Sequence, residues 1–547
     1  MYRVIIVAMK IGQALSKRLH TSWLIAFVCI GFLSGVGVSL FLRSSVFATV
    51  VWWPVVAIVL IILVFISRLR VMVIFALAAG LILGLGRGTW TRVDLNIFSD
   101  WIGQEVVLKG VVEEDPDIGA SHDLRIKIVN SEVILSDDYD KLSGEVENFN
   151  DYFTSLPGQI WVSAMARGAV VKRSDVVEIS GKLKSGFGTF PASMSFANLV
   201  VVTSVPGADP MRDIRDAFGD KLRTVIEAPA ADLGMGILAG QKTALPADLS
   251  AAFIVASLTH IVVASGYNLT ILIRFARRLF AKISRFAALS FGGLLVFAFA
   301  CTTGFSPSMT RAALVAGFSL LAWYYGRRFH PIVLLSLVAS ITVAMEPNVI
   351  WGDAGWYLSF LSFVGVIILA PLIKDYFWGR DKKLTVPLIT RFWSKFRRRY
   401  FSKKNFIAPT PREPSFNLRQ IFIETTSAQI MAAPIIALFM GQFSPYGLIA
   451  NLVVLPILPL VMLLTFIAGI ASFALPMFLA QIIAAPAQWL LDYIINVARW
   501  VSDLPGASQE IIISPWVSAG VFAVIVAVIF YLKHFTCHNF REDNVVE

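Results

Sequence analysis

The chain has 547 residues, of which 57% are hydrophobic and 15% are charged. A water-soluble protein of this length needs more charged residues to cover its surface, so the composition excludes that class and indicates a membrane protein. The net charge of +11 does not by itself indicate nucleic-acid binding, because membrane proteins concentrate Lys and Arg in cytoplasmic loops. The three cysteines, at 29, 301 and 537, lie far apart and form neither a disulfide framework nor a zinc site.

The N-terminal segment, residues 1–90, contains three apolar runs of membrane-spanning length, at about 23–42, 46–66 and 71–86. The first run is longer than the apolar core of a signal peptide, and no convincing cleavage site follows it. We therefore interpret it as a retained signal anchor and predict three N-terminal membrane spans.

Residues 100–205 have the character of a soluble β domain. Five segments rich in β-branched residues are predicted to be strands: 105–112, 124–134, 159–164, 176–183 and 196–202. An acidic insertion, 137–151, interrupts them. Five strands fit a small barrel such as an OB-fold, and a sandwich fits almost as well.

The rest of the chain is predicted to be helical. Helical spacing of apolar residues within 208–228 predicts an amphipathic helix that lies on the membrane surface or packs on the helix bundle. The multi-span domain, 229–547, contains nine further candidate spans, at about 250–273, 286–304, 309–326, 331–346, 356–373, 419–441, 446–470, 474–499 and 514–532. Prolines make 446–470 a candidate broken or re-entrant span, and 234–245 is a candidate re-entrant piece. The fold class is thus a polytopic α-helical membrane protein of about twelve spans with an inserted β domain.

Loop charge predicts the orientation of these spans. Lys and Arg cluster near the N-terminus, after spans two, four and six, and most densely in the loop 374–415. Placing all of these clusters inside gives one consistent map, in which both termini are cytoplasmic and the β domain is outside. The basic loop is expected to be an ordinary positive-inside loop, with docking of a motor, of DNA or of anionic lipid as alternatives.

Span four carries the most informative polar residues. In a regular helix, Ser257, His260, Ser265 and Asn268 would share an arc of about 140° on one face. Polar groups are costly in lipid, so this face should point at other helices or at a water-filled path. Ser265 and Gly266 would also permit a helix break or a close approach by a neighbour. From spacing alone, hydrogen-bonded contact between helices and a pathway lining remain equally open.

Other polar residues lie in or beside predicted spans. Arg311 and Asp353 are pathway candidates, each with a simpler alternative: Arg311 is expected to extend its side chain towards the membrane interface, and Asp353 could cap a helix N-terminus. Further pathway candidates in the later spans are Ser359, Gln429 and Asn451.

Several motifs resemble those of the ComEC family of competence proteins. They are His260-x4-Ser265-Gly266-x-Asn268, Leu238-x-Gly240 with Leu245-Pro246, Pro307-Ser-Met-x-Arg311-Ala312, Asp353-Ala-Gly-Trp-Tyr-Leu-Ser359-Phe360, and Ala428-Gln429 with Pro434, Ser444, Asn451 and Pro456. Tyr267 stands where the family commonly has Leu, and Tyr357 where Gln is usual. Together with the three N-terminal spans and the β domain, the resemblance covers nearly the whole chain.

The resemblance implies a plasma-membrane channel that passes single-stranded DNA inward without a covalent step, so neither an enzyme activity nor a cofactor is expected. Many family members carry a metallo-β-lactamase-like domain; the six histidines here form no such metal-binding run, so no metal site is expected. No phosphate-loop motif is present, so a separate cytoplasmic ATPase, a separate DNA receptor and a separate nuclease are the implied partners. The oligomeric state is not predicted.

The β domain departs from what DNA binding requires, because residues 100–184 contain sixteen Asp and Glu against nine Lys and Arg. Trp161 and Phe187 could still stack on bases, although an acidic structural domain is at least as good an interpretation. Two rival functions are a secondary transporter or lipid flippase for an anionic substrate, and an intramembrane enzyme using His260 and Ser265. An angle of about 140° between the last two makes their direct contact in a regular helix unfavourable.

Overall fold

The structure is a computed structural model and describes residues 19–41, 52–118, 123–136, 139, 153–156, 158–165, 171–204, 207–241, 245–262, 266–326, 330–379 and 418–536. Contacts divide the chain into two compact units, Met1–Tyr357 with Ile457–Ala507, and Leu358–Pro456 with Ser508–Glu547. The basic loop 374–415 lies almost entirely outside the described residues.

Three N-terminal helices begin the first unit: α1 (Thr21–Ser39), α2 (Trp53–Ser67) and α3 (Met72–Leu95). The backbones of α1 and α3 are in close contact, because each helix contributes two glycines to the contact. A Cβ on Gly31 or Gly35 would collide with α3 carbonyls, and a Cβ on Gly80 or Gly84 would collide with α1 carbonyls. Such four-residue glycine spacing is typical of close helix contacts in membranes.

The β domain is a small closed barrel. Its main strands are β1 (Glu105–Val112), β3 (Asp123–Leu135), β5 (Ile160–Met165), β6 (Val176–Ser185) and β7 (Ala192–Thr203), with short additions β2 (Asp117–Ile118) and β4 (Thr154–Leu156). The pairing order β1-β6-β7-β5-β3 closes because β3 also pairs with β1. All pairs are antiparallel except β5 with β7. The five predicted strands are confirmed, and the sandwich alternative is wrong.

Alternating side chains fill the barrel. Inward-facing residues such as Leu108, Ile126, Ile160, Ile179 and Met194 are fully buried and form one apolar core. Such alternation arises because successive residues of a strand point to opposite faces, whereas the strand prediction relied on the β-branched content of these segments.

The predicted amphipathic helix is α4 (Pro210–Leu222), which begins at the N-cap Asp209. Its Phe218 ring stacks against Phe466 and Phe473 of α17 (Leu458–Ala474), with ring centroids 6.3 and 6.4 Å apart. Of the two placements left open, the structure therefore has the helix packed on the bundle. The next helix, α5 (Ala230–Ala239), is ten residues long and almost wholly buried.

Predicted span four is not one helix. It consists of α6 (Ala247–Val255), α7 (Thr259–Val262) and α8 (Gly266–Phe280). The chain turns at Ser257, whose φ is +54°, and residues 263–265 lie outside the described part. The regular helix behind the 140° arc is therefore wrong.

The remaining helices of the first unit match the predicted order. They are α9 (Arg285–Thr302), α10 (Pro307–Tyr324), α11 (Pro331–Met345), the short α12 (Val349–Gly352), the start of α13 (Ala354–Val364), then α17 and α18 (Met477–Ser502). The second unit contains the rest of α13, a π-helical turn at Gly365–Leu369, α14 (Ala370–Trp378), α15 (Leu418–Phe439), α16 (Gly447–Val454) and α19 (Pro515–Thr536). Its small sheet pairs β8 (Gln442–Phe443) with β9 (Gln509–Glu510).

Seven helices in the described part of the chain are long and apolar enough to cross a membrane, or eight if α16 and α17 form one bent span. The predicted span 446–470 is thus interrupted, as its prolines suggested. Predicted spans two and seven are shorter apolar helices of 15 residues each. The predicted number of about twelve is not reached by this measure.

Contacts sort the helix ends of the first unit into two groups. Near the barrel, Arg173 donates to the carbonyls of Cys301 and Thr302, and Arg87 donates to those of Ala344 and Met345. At the opposite helix ends, the Leu19 amide donates to the Arg68 carbonyl at 2.7 Å, the Trp23 ring lies 4.7 Å from that of His330, and Arg277 lies over the Trp323 ring. The predicted topology, in which successive spans run in opposite directions, groups these helix ends in the same way.

Candidate functional site

Two of the sequence motifs meet at Arg311 and Asp353. Arg311, near the start of α10, is 5% exposed, and its Nη2 donates to the Gly355 carbonyl at 3.0 Å. Its Nη1 lies 3.9 Å from Asp353 Oδ2. Asp353 also accepts from the Gly355 amide at 2.8 Å, so it caps α13 as expected. The expectation that Arg311 extends to the interface is wrong, because a buried guanidinium needs these partners.

A loop of the barrel lies directly on this corner. Gly188, in the β6–β7 loop, has a φ of +59°, and a Cβ on Gly352 would lie 2.6 Å from the Cα of Gly188. A side chain on Gly352 would prevent this approach, and the positive φ of Gly188 favours glycine there. The barrel loop therefore reaches the residue next to Asp353.

The two predicted stacking residues are neighbours beside this contact. The Trp161 and Phe187 rings lie 5.2 Å apart at 74°, and Phe187 and Phe190 lie 5.7 Å apart. Phe187 is 52% exposed, whereas Trp161 is half-buried. Lys127 Nζ lies 5.9 Å from the centre of the Phe190 ring and 2.9 Å from Glu114 Oε1. These residues form an aromatic and basic cluster at the junction of barrel and membrane domain.

Carboxylates surround Lys127 at this junction. Burial, reinforced by the neighbouring Glu114, raises the pKa of Glu113 to about 7. Lys127 and a hydrogen bond from Gln159 at 3.1 Å oppose that shift, while Glu346 adds to it. Among the described residues, no three His, Cys, Asp or Glu side chains are grouped as a metal site would require.

The short helix α7 exposes its polar side chains and buries its apolar ones, which is the reverse of a helix that faces lipid. Its apolar residues Ile261 and Val262 are buried against α5 and α6, whereas Thr259 and His260 are exposed. A segment that faced lipid would expose apolar side chains instead. In a membrane, the exposed side chain of His260 would be costly in contact with hydrocarbon.

Of the other described residues of the predicted polar face, Ser257 is half-buried and Asn268 is buried. Asn268 is fully buried, and its Nδ2 donates to the Ile237 carbonyl of α5 at 2.9 Å. Gly266 lies against α10, where a Cβ would sit 3.2 Å from the Ala312 Cβ. Ser257 occupies the turn between α6 and α7, and Ser265 lies outside the described residues. Asn268 and Gly266 thus hold helices together.

Helix α5 braces the break in span four. Gly236 lies so close to the Val262 carbonyl that any side chain would collide with it. The sequence prediction missed this role of α5, although its Gly-Met-Gly-Ile-Leu-Ala-Gly pattern, 234–240, is a recognisable sign of close backbone contacts.

The remaining pathway candidates belong to the second unit. Asn451 is buried in α16 and donates to the Gly447 carbonyl at 2.9 Å. Ser359 in α13 and Gln429 in α15 are half-buried. Nearby, the π-helical turn approaches α15 closely, because a Cβ on Gly365 would lie only 2.5 Å from the Ser427 carbonyl oxygen.

The sequence prediction also missed a cluster of ion pairs between barrel and α4. Arg173 pairs with Asp209 at 2.6 Å, Arg212 with Asp175 at 3.1 Å, and Arg215 with Asp115. All three arginines are buried. Arg173 and Arg215 also donate to the Thr302 carbonyl, at 3.1 and 3.4 Å, and so attach the barrel to the end of α9.

Comparison with known proteins gives one match. The Competence protein family model covers residues 237–535, which is more than half of the chain. The matched range begins in α5 and ends in α19, so it contains span four, Arg311 and Asp353, and the barrel precedes it. No curated protein and no solved structure matches the chain.

Proposed function

The chain belongs to the Competence protein family, whose role is DNA uptake during competence, and on this basis we propose that it is a channel passing single-stranded DNA into the cytoplasm during natural transformation. The channel would lie in the plasma membrane, with both termini cytoplasmic and the barrel outside.

The observation that carries this proposal is the inverted polarity of α7. Thr259 and His260 are exposed in the middle of an otherwise apolar segment, while their apolar neighbours are buried. This arrangement is stable in a membrane only where water reaches the polar side. A water-filled path beside α7 is what a polyanionic strand requires.

The barrel supports an outer entrance. If the main strands β1, β3, β5, β6 and β7 are numbered one to five, their order around the barrel is 1-2-3-5-4, and strands three and five are parallel. We interpret this topology as an OB-fold. OB-folds bind oligonucleotides on the face of strands two and three and with the loop between strands four and five. Those elements carry Lys127, Trp161 and Phe187, the cluster that borders Gly352 and Asp353.

Directional movement needs an energy source, and the sequence contains no phosphate-loop motif. We therefore propose that a separate cytoplasmic ATPase pulls the strand, and that a separate receptor and a separate nuclease deliver it as a single strand.

The test combines labelled-DNA import with quantitative membrane blotting. Deleting the gene should abolish import and transformation while DNA still binds to the cell surface. His260→Ala should lower import at normal abundance if α7 borders the path, whereas Asn268→Leu should lower import and abundance together. Normal import in the deletion strain would refute the proposed function.

A transporter of a small anionic substrate is the second candidate, because spans broken into short helices are typical of secondary transporters. Proteoliposomes distinguish the two. If the chain is a channel for DNA, an oligonucleotide drawn into the proteoliposomes by a pulling force should become protected from external nuclease. The same proteoliposomes should show no coupled exchange of small anions.

A further inference from the structure

Phe196 on strand β7 has an unusual backbone and an unusual exposure. Its φ is +57°, in the left-handed region that aromatic residues rarely adopt, and its side chain is 79% exposed. The register explains the geometry: Ser163 pairs with Ser195 and Ala164 with Ala197, so Phe196 is the extra residue of a bulge. The barrel thus holds a phenyl ring in water at the expense of a strained backbone. Strained positions of this kind cluster at binding sites.

Two lysines lie on the neighbouring strand β6. Lys182 and Lys184 are exposed, and Lys184 pairs in register with Ser193, two residues before Ser195. Lys182 is two residues nearer the bulge, on the same outward face of its strand. The exposed ring and both ammonium groups therefore share the outer face of β5, β7 and β6.

These two lysines differ from the other described cations of the barrel in their ion pairing. Lys109, Arg125, Lys127, Lys172 and Arg173 each pair with a carboxylate. Within the part of the barrel that the structure describes, Lys182 and Lys184 make no ion pair. In a domain with an excess of acids, two cations without an ion pair thus lie on the strand next to Phe196, and Glu105 of β1 stands opposite Lys182 in register.

Trp161 extends the same face towards the membrane domain. It pairs with Ser193, whose other neighbour is Lys184. Phe196 follows Ser193 by three residues, which places the two aromatic positions about 10 Å apart along the strand. Aromatic rings beside a row of cations are the combination by which proteins bind single strands independently of sequence.

We propose that Trp161, Lys182, Lys184 and Phe196, here called the outer strip, bind single-stranded nucleic acid and lead it towards the cluster around Phe187. The bases stack on the rings, and the phosphates contact the lysines. This inference rests on the proposed function and adds a binding surface to it. A protein partner is the alternative occupant, and two lysines without an ion pair near the exposed Phe196 ring favour the polyanion.

The test uses the full chain in nanodiscs of uncharged lipid, titrated into a fluorescein-labelled 20-residue oligo-dT, with anisotropy as the signal. Phe196→Asn should weaken binding by about tenfold, because one stacked base is lost. Asn tolerates left-handed backbone, so the fold is preserved. Phe305→Asn is the matched control, since Phe305 also has a positive φ of +52° and is 52% exposed, but lies between α9 and α10. It should leave binding unchanged.

Salt dependence tests the lysines separately. Lys182→Gln and Lys184→Gln should each reduce the slope of log affinity against log salt by about 0.7. Lys221→Gln, which removes an exposed charge from α4, should leave the slope unchanged. Unaltered affinity in Phe196→Asn together with unaltered slopes would overturn the inference.

Two further outcomes separate this inference from the proposed function. If Phe196→Asn abolishes import by cells while oligo-dT binding stays normal, the strip binds a protein and the inference is overturned. If the deletion strain imports DNA normally, the proposed function fails whatever the oligonucleotide titration shows. Reduced oligo-dT binding with import lost only in the deletion strain supports both.

Discussion

Arg311 and Asp353 illustrate how single residues gain meaning from contacts that the sequence does not display. They are 42 positions apart and belong to different helices. Each was recognisable as a polar residue in an apolar setting, and the resemblance to the ComEC family singled out both. Their pairing required the packing of α10 against the start of α13, which no local pattern encodes.

A double-mutant cycle should measure this pair. Arg311→Gln removes the buried cation, and Asp353→Asn keeps an acceptor for the Gly355 amide while removing the anion. Each single change should lower the free energy of unfolding by about 1–3 kcal/mol, because it leaves the other charge uncompensated. The double change should cost less than the sum of the two. Additive costs, measured by thermal unfolding in nanodiscs, would show that the pair is not coupled.

Glu113 should make the junction of barrel and membrane domain sensitive to pH. Its pKa is raised to about 7 by burial and by Glu114, so the folded protein favours the protonated form. This contribution to stability is complete below the ordinary carboxyl pKa and is lost as pH rises through 7. Between pH 6 and pH 8 the loss should be about 1 kcal/mol.

Glu113→Gln should remove that part of the pH dependence, because the amide mimics the protonated acid and can still accept from Gln159. The measurement is the unfolding midpoint across this pH range. Glu105→Gln, an exposed carboxylate at the start of β1, is the matched control and should leave the wild-type profile unchanged. Identical profiles for wild type and Glu113→Gln would contradict the assignment.

At the scale of elements, prediction succeeded where a local pattern decides structure. The five strands were located within a few residues because β-branched segments bounded by Gly, Asp and Ser are a local signal, as in Glu105–Val112. Closure of the barrel was not predictable, since the β1–β3 pairing and the parallel β5–β7 pairing join distant segments. Periodicity gives the faces of a strand and not its neighbours.

Span four is an element whose breaks the local sequence pattern did not predict. Hydropathy predicted one helix over 250–273, and the apolar content is indeed continuous. The breaks arise from the left-handed turn at Ser257 and from α5, whose Gly236 contacts the Val262 carbonyl. A short buried helix that forces its neighbour to bend leaves little trace in the hydropathy of that neighbour.

Gly236→Ala should therefore displace α7. The added methyl group would meet a backbone carbonyl, which cannot rotate away as a side chain can. We expect a loss of stability of about 1–3 kcal/mol and a fall in DNA import. Gly317→Ala is the matched control, because a Cβ there meets nothing within 4 Å. Equal abundance, stability and import for both variants would show that α5 does not position α7.

At the scale of the whole molecule, buried ion pairs attach the barrel to one set of helix ends. Arg173 and Arg215 link it to the Thr302 carbonyl, and Gly188 links it to Gly352. The helix ends of the other set carry several basic residues, including Arg68, Arg70, Lys282 and Arg285. Since Lys and Arg mark cytoplasmic loops, the barrel side should be external.

Cysteine labelling should reveal this sidedness directly. In a variant whose native cysteines are replaced by serine, Ser185→Cys places a thiol on the barrel, and Lys282→Cys places one between α8 and α9; both positions are exposed. An impermeant maleimide should label Ser185→Cys on intact cells and Lys282→Cys only after permeabilisation. Denatured samples of both variants control for thiol reactivity. The reverse pattern would place the barrel in the cytoplasm, where the aromatic cluster around Phe187 could not receive an incoming strand, and the entrance proposed here would become an exit.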